Sequence, residues 1–433
     1  MQAPKHIQIT PVARAHTPQK ASPIPPHEFP NPPAFGARFP PTTTDNLAHI
    51  LKAAGITVAF DEMRKRLKVE FPDRSFGIEN ADDVALAEII SRALLNGLQA
   101  GPIPAYVAAL ADRNRVCPPK DWISCKPWDG TIRLKDLLAT IVVAADYPQQ
   151  LRDILVTRWL LSAVAAVMYP GEFKARGVLT FQGAQGIGKT SWFMQLIPES
   201  LRASFLKVDH HLDATNKDSI LGAIGHWIVE IGELDSTFKR DVARLKGFLT
   251  STHDKVRRPY ARGDSEYPRR TVFCATVNDS NFLVDMTGNS RWWTVEVDSL
   301  NYRHEIDMQQ VFAELHQRLQ EGAIWWLTPE EEKLLDEQNN SYLAGSAIRD
   351  RLIKHIEQVS IQKQESSEVV SVRFLNTTEV LQNIGIAEPS NAQVRECGQI
   401  LRQMKAQIGR KKKKNGGKEG WDFPVLDHVK YVG

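Results

Sequence analysis

Cysteine is scarce in this chain of 433 residues: Cys117, Cys125, Cys274 and Cys397 are scattered, with no CxxC pair. That scatter supports neither a zinc site nor a disulfide framework, and it suits a reducing cytoplasm. Long apolar runs are missing too. The longest, around Leu137–Ala145 and Trp159–Tyr169, are short or broken by Ser162, well under the roughly 18 residues that a membrane span needs. The amino-terminal stretch has no apolar core of the kind a secretory signal carries. Charge of one sign is nearly absent from the balance. Lys plus Arg number 54 against 51 Asp plus Glu, a formal +3, which taken whole argues against a polyanion-coating protein.

What is present is an ordinary globular composition, 42% hydrophobic and 24% charged, at a length that suggests two or three domains. Residues 1–41 hold 11 of the 25 prolines. Proline lacks an N–H and biases its predecessor away from helix, so residues 1–44 are expected to be a disordered, proline-rich leader. From Asp45 the apolar spacing becomes helical, over Asn46–Ala54, Asp82–Leu98, Leu134–Ala144 and Gln149–Met168. Residues 45–170 therefore read as a mostly helical domain, a candidate oligomerisation collar. Between 171 and 345, β-branched and aromatic runs at Val178–Gln182, Trp227–Ile231, Thr271–Val277 and Trp292–Val297 alternate with helical stretches. That pattern predicts an α/β domain with a mostly parallel sheet. Thr328-Pro329-Glu330-Glu331 reads as a capping box opening a helix. Residues 346–433 show helices near Ile348–Val359, Thr377–Ile384 and Ser390–Ile408. A basic run, Asn415-Gly416 and a strand-like stretch follow, the outline of a winged helix.

The chemistry concentrates in Gly183-Ala184-Gln185-Gly186-Ile187-Gly188-Lys189-Thr190, which fits GxxxxGK[ST] between a predicted strand and a predicted helix. Gly183, Gln185, Gly186, Gly188 and Ser191 belong to the loop and first turn that would wrap the phosphates of ATP with backbone N–H groups. Lys189 would reach the β- and γ-phosphates, and the Thr190 hydroxyl would hold Mg²⁺. A phosphate loop needs an acidic partner at a neighbouring strand. His226–Glu233 supplies an apolar strand with Glu230 and Glu233, one to order the Mg²⁺ shell and one to polarise the attacking water. Glu233, just past the strand end, is favoured for the water; for Glu230, inside the strand, a paired structural charge is the alternative. Asn278 ends another apolar strand, where a plain turn residue or a γ-phosphate sensor is expected. Arg291 lies just before a strand, a surface residue or a stabiliser of transition-state charge on a neighbouring subunit's nucleotide.

Two segments are basic. Residues 237–270 carry ten Lys or Arg and four Asp or Glu, and 401–433 carry nine and three. The first includes Lys246, Lys255, Arg257, Arg258, Arg262, Arg269 and Arg270, with Phe248, Tyr260 and Tyr267 interleaved, a mixture suited to single-stranded nucleic acid. A solvated helix face is the alternative, and DNA versus RNA is left open. The second includes Lys411, Lys412 and Lys413, expected on duplex phosphates at a wing, with a solvated tail as the alternative.

In order and spacing, these residues resemble the virulence-associated E proteins of phages, prophages and mobile islands. The resemblance covers roughly 110–345. It includes the phosphate loop, Trp227-Ile228-Val229-Glu230-Ile231-Gly232-Glu233-Leu234, Leu245–Phe248 with Arg258-Pro259-Tyr260, Thr276-Val277-Asn278 and Phe282–Asn289. The segments Asn114–Pro118 and Trp128–Arg133 are similar to the stretch before that family's ATPase core. The resemblance implies a P-loop NTPase with an AAA+-like superfamily 3 helicase core. It further implies an ATP-driven DNA helicase with 3′→5′ polarity, forming a homo-hexameric ring in the cytoplasm of a bacterial host. In that frame Lys189 and Thr190 clamp the nucleotide, Glu230 and Glu233 are the acidic pair, and Asn278 is the sensor. Arg291 acts across the subunit interface, and the segment around Lys246–Tyr267 tracks DNA in the channel. Many members place an arginine where Ser290 stands, which leaves the finger to Arg291. Longer members carry a primase–polymerase domain upstream; here a proline-rich leader stands in its place, so no primase activity is expected of this chain. A second reading from a different class is an ATP-switched DNA-binding initiator or loader that does not unwind processively.

Overall fold

The computed structural model describes residues 23–72, 81–213, 215–232, 247–256, 265–278, 289–339, 347–365, 371–390, 393–394, 397–398, 400–401, 404, 411–413 and 419–425. The chain divides into two compact units, Met1–Lys126 with Ile224–Trp227, and Pro127–Ala223 with Ile228–Gly433.

In the first unit, α1 (Thr44–Ala53) starts at Thr43, whose hydroxyl accepts from the Asn46 N–H, the usual N-cap bond. A hairpin of β1 (Thr57–Asp61) and β2 (Arg66–Glu70) follows, then α2 (Ala81–Leu95), α3 (Ile103–Arg113), β3 (Arg115–Val116) and α4 (Pro118–Ser124). The strands form a sheet in the order β2-β1-β3, which the helical reading of 45–170 omits. The hairpin turn contains neither Gly nor Asn. Instead the Asp61 carboxylate accepts from the Met63 and Arg64 N–H groups, and Lys65 adopts φ 56°. An Asx turn does the work that Asn-Gly does elsewhere.

The leader also departs from expectation. Of the residues expected to be disordered, 23–44 pack against this unit, and 1–22 lie outside the described residues. Phe29 is 3% exposed and joins the cluster of Leu47, Ile50 and Ile89. Proline-rich backbone leaves few donors to satisfy, and one side chain here ties one donor and two carbonyls. Asn46, with no exposed surface, accepts from the Asn31 N–H at 2.9 Å and donates to the Asn31 and Pro41 carbonyls at 2.8 Å. Asn46→Ala is therefore expected to cost about 1–3 kcal/mol, the penalty for orphaned buried polar groups. Urea unfolding would measure the cost, and limited proteolysis should show faster cleavage within 23–44. Unchanged cleavage and an unchanged midpoint would mean that this amide does not anchor the segment.

The second unit begins with α5 (Leu134–Ala139), β4 (Ile141–Val143), α6 (Gln149–Met168), β5 (Val178–Gln182), α7 (Lys189–Gln195) and α8 (Glu199–Phe205). It continues through β6 (Leu206–His210), α9 (Lys217–Ile224), β7 (Ile228–Ile231), β8 (His253–Val256), β9 (Ser265–Pro268), β10 (Val272–Val277) and β11 (Trp292–Leu300). Then come α10 (Met308–Gln320) and α11 (Pro329–Asn339). Six strands make one sheet in the order β4-β11-β5-β10-β7-β6. All neighbours from β11 to β6 are parallel, and β4 adds an antiparallel edge. The fold is mixed α/β.

The expected helix over Leu134–Ala144 ends early, because Thr140 caps α5 and the β-branched run Ile141–Val143 joins β11. Helix α6 is apolar nearly all round and accordingly buried from Leu160 through Val167 against the sheet. Its Trp159 Nε1 donates to the Phe273 carbonyl at 2.7 Å. Helix α11 opens on the predicted capping box: the Thr328 N–H donates to Glu331 Oε2 at 2.9 Å and the Glu331 N–H to Thr328 Oγ1 at 3.3 Å.

The carboxy-terminal part holds α12 (Ala347–Glu365), β12 (Ser371–Leu375), α13 (Thr377–Asn383), β13 (Lys411–Lys413) and β14 (Glu419–Val425). Strands β12, β14 and β13 form an antiparallel sheet in that order. Trp421 and Phe423 bury into a core with Leu352, Val380 and Leu381. Helices α12 and α13 pack with this three-stranded antiparallel sheet; much of the expected helix Ser390–Ile408 and the Asn415-Gly416 turn, on which the winged-helix expectation rests, lie outside the described residues. Among the described residues no helix is long and apolar enough to cross a membrane.

Candidate functional site

Strand β5 is wholly buried and delivers the chain into the glycine-rich loop at the carboxyl edge of the sheet. The loop is tied at its start by the Gly183 N–H, which donates to the Val277 carbonyl at the end of β10. Gly186 and Gly188 have φ of 86° and 89°, a region that side chains with a Cβ rarely adopt. At Gly183 and Gly188 space adds a second constraint. A Cβ on Gly183 would strike the Val297 carbonyl, and one on Gly188 the ring of Tyr302.

Lys189, the first residue of α7, is 6% exposed. Its ammonium donates to the Gly183 and Ala184 carbonyls at 2.7 Å and to Asn278 Oδ1 at 2.9 Å. Burial pushes the Lys189 pKa below the ordinary lysine value, because desolvation disfavours the charged form. One residue on, Thr190 Oγ1 donates to Glu230 Oε1 at 2.6 Å. Glu230 is 2% exposed and also accepts from Thr276 Oγ1 at 2.9 Å and from the Asp209 N–H at 3.2 Å. Three adjacent parallel strands, β5, β10 and β7, thus bring Lys189, Thr190, Asn278 and Glu230 together at one edge. Gln185 is exposed on the loop, and Ser191 is half-buried in the first turn of α7. Glu233 lies outside the described residues. Among the described residues no group of three or more acidic, His or Cys side chains is arranged to hold a metal.

Arg291 stands elsewhere. It precedes β11, whose first residue Trp292 pairs with Val178 at the start of β5, while the loop leaves β5 after Gln182, opposite Glu296. The length of β5 separates the two, roughly 16 Å at about 3.3 Å per residue. Arg291 lies instead in a cleft of ≈ 330 Å³ lined also by Lys174, Arg176, Thr250, Trp293 and Glu332. Its Nε–H is shielded from solvent and has no acceptor among the described residues. Lys174 and Arg176 escaped the sequence reading, since two cations before a strand carry no local signature.

Within the basic segment the described residues are 247–256 and 265–270. Strands β8 and β9 pair as a hairpin, with Lys255 exposed beside Glu266 at 3.6 Å. Lys246, Arg257, Arg258, Tyr260 and Arg262 lie outside the described residues. Arg269 needs correcting: counted by charge as a candidate nucleic-acid contact, it is fully buried. Its guanidinium pairs with the buried Asp254, donates to the Phe248 carbonyl at 3.0 Å and lies 4.5 Å from the Phe248 ring centroid. Arg270 is 6% exposed. Charge counting cannot separate cations that face solvent from cations that hold a hairpin to its sheet. Lys411, Lys412 and Lys413 form β13, a strand at the edge of the carboxy-terminal sheet.

A further residue missed in the sequence is Asp209. It adopts φ 51° at the end of β6, and Gly232 leaves the space that Asp209 Oδ1 and its backbone occupy. A non-glycine residue held at positive φ beside a buried carboxylate marks a place where geometry is imposed by its surroundings.

The model of the virulence-associated protein E-like domain matches residues 123–344, just over half of the chain. The chain belongs to this family. The matched span opens with the segment that docks on α10, where the Asp129 N–H donates to Gln310 Oε1 at 2.9 Å and the Arg133 N–H to Glu314 Oε2 at 2.8 Å. It closes just past α11. Among solved structures, this family member is similar to the apo NrS-1 C-terminal region (305–718). That match has 15% identity and a TM-score of 0.41, covering 88% of this chain and 98% of that one. The A form of the same region is similar at 16% identity and a TM-score of 0.42, covering 88% and 99%. No curated protein is significantly similar.

Proposed function

We propose that the chain is a P-loop ATPase of the AAA+-like superfamily 3 type, a DNA helicase that works as a homo-hexameric ring in the replication of a phage or other mobile element. The observation that carries this reading is the meeting of Lys189, Asn278, Thr190 and Glu230 at the carboxyl ends of β5, β10 and β7. Ligands of parallel α/β sheets bind there, where the connections from the central strand diverge. In this reading Lys189 exchanges its carbonyl cage for the β- and γ-phosphates of ATP, and Asn278, already in contact with Lys189, faces the γ-phosphate. Thr190 and Glu230 would hold Mg²⁺: a hydroxyl and a carboxylate suit a hard cation that takes its remaining ligands from phosphate and water. When bound, the ion neutralises charge on the phosphates. Glu233 polarises the attacking water. DNA is contacted through Lys246, Lys255, Arg257, Arg258, Tyr260 and Arg262.

The test is ATP-driven strand displacement on a forked duplex, followed together with the size of the assembly. A monomer that displaces nothing would sink the helicase reading. It would favour the second one, an ATP-switched initiator or loader, for which the antiparallel sheet with Lys411–Lys413 on its edge strand is the supporting observation.

The distance of Arg291 from its own loop supports a role on the neighbour's nucleotide, with Lys174 and Arg176 in the same cleft. Arg291→Ala and Lys189→Ala should each be inactive alone. Mixed in equal amounts they should regain a substantial fraction of wild-type ATPase, because some interfaces then pair an intact loop with an intact cleft. A mixture as inactive as its parts would mean that Arg291 does not act on a neighbour's nucleotide, and an Arg291→Ala variant that is active alone would place it outside the reaction.

A further inference from the structure

Beside the glycine-rich loop stands an aromatic ring that the reading above leaves without a task. The segment after β11 crosses back over α7. It is fixed by the Asn301 N–H donating to the Thr140 carbonyl at 2.8 Å and by Gln195 Nε2 donating to the His304 carbonyl at 3.3 Å. Between these two ties Tyr302 rests on Gly188, filling the space a Cβ would take, and stays half-buried. The exposed guanidinium of Arg303 stands over the ring, 5.6 Å from its centroid.

The order of the sheet says which end of a nucleotide this pair meets. Strand β5 carries the loop, with β10 and β7 on one flank and β11 on the other. Asn278 and Glu230, the groups suited to the terminal phosphate and its cation, both belong to the β10–β7 flank. A triphosphate seated on the loop with its terminal phosphate toward them directs its nucleoside to the opposite flank. Tyr302 and Arg303 follow β11 on that flank, one residue's contact away from Lys189.

We propose that Tyr302, with Arg303 over it, is the base-recognition platform of the nucleotide site, taking a purine ring by stacking. The proposal rests on the nucleotide-site reading above. An aromatic face paired with a guanidinium offers a flat, polarisable surface for a heterocycle, and stacking of this kind tolerates any purine. The ties at Asn301 and His304 hold the ring before a ligand arrives, so little ordering is required on binding.

Titration calorimetry with two ligands tests this: ATP, which has a base, and inorganic tripolyphosphate, which has none. Tyr302→Ala should weaken ATP at least about tenfold, the loss of one base–aromatic stack, and leave tripolyphosphate within about twofold. Tyr302→Phe and Tyr302→Trp, which keep a ring, should keep ATP affinity within a few fold. Equal weakening of both ligands by Tyr302→Ala would mean that the ring props the loop, and would overturn the proposal. So would no weakening of either, or a loss of ATP affinity in Tyr302→Phe as large as in the alanine variant. A wild-type protein that binds neither ligand would overturn the nucleotide-site reading itself, whereas one that binds both equally well would overturn the platform alone.

Discussion

Replacing Lys189 with alanine is expected to reduce ATP turnover by about 10²–10³-fold or more, the scale set by removing a single preorganised donor from developing charge. The geometry makes the effect specific. The ammonium is already positioned by three oxygens, the Gly183 and Ala184 carbonyls and Asn278 Oδ1, so the loop holds its shape around a charge before any phosphate arrives. The same cage predicts a structural cost. Alanine leaves those oxygens without their donor, and thermal unfolding should register a loss of about 1–3 kcal/mol for buried groups left unsatisfied. Saturating ATP should therefore stabilise the wild type and leave the variant's midpoint unmoved. A pH dependence follows from the same burial. The Lys189 pKa lies below the ordinary lysine value, so the charged form is lost as pH rises through a lower value than usual. The alkaline limb of activity should fall correspondingly early. A variant that hydrolyses ATP at the wild-type rate would remove Lys189 from the site.

The largest effect on stability is expected at Arg269. The Arg269–Asp254 pair has side-chain exposures of 0% and 1%, with Nε donating to both carboxylate oxygens at 3.0 Å. Removing one partner strands the other charge in a medium that cannot solvate it, at about 3–5 kcal/mol. Arg269→Ala and Asp254→Ala should each fall in this range by urea denaturation. The double replacement Arg269→Met with Asp254→Leu should cost much less than the sum of the singles. Desolvating two ions offsets most of their attraction, and apolar residues of similar volume impose no such penalty. Single-variant costs below 1 kcal/mol would show that water reaches the pair. Because the pair fastens β8 to the residue after β9, the single variants should also loosen the β8–β9 hairpin.

What was legible in the sequence follows a physical division. Strand β5, the loop and α7 were visible because a switch of period from strand to helix and three spaced glycines are local signals. Helix α6 and the capping box at Thr328–Glu331 were visible for the same reason. The β1–β2 hairpin was not, because its turn uses an Asp61 side chain and a positive-φ lysine instead of the usual turn residues. Packing of the leader escaped because it depends on Phe29 and Asn46 meeting a helix face distant in sequence. At the site, Lys189, Thr190, Glu230 and Asn278 were each legible as ends of strands or loops. Their convergence was not, since it depends on β10 lying between β5 and β7. Asp209, Tyr302, Lys174 and Arg176 carry no local pattern at all. Arg269 shows the converse, a residue whose charge was plain and whose partner was hidden.

The sheet order has one consequence for the birth of the protein. Strand β5 sits at the centre, yet its neighbours β10 and β11 are synthesised only after β6 to β9 have been made. At ribosomal speeds of roughly 5–20 residues per second, both edges of this wholly buried strand stay unpaired for on the order of ten seconds. A chain stalled before Trp292 carries the complete glycine-rich loop but lacks the strand that closes one side of it. Such fragments are candidates for chaperone capture and aggregation, and the nascent chain depends on helix α6, made just before β5, to shield that surface while it waits.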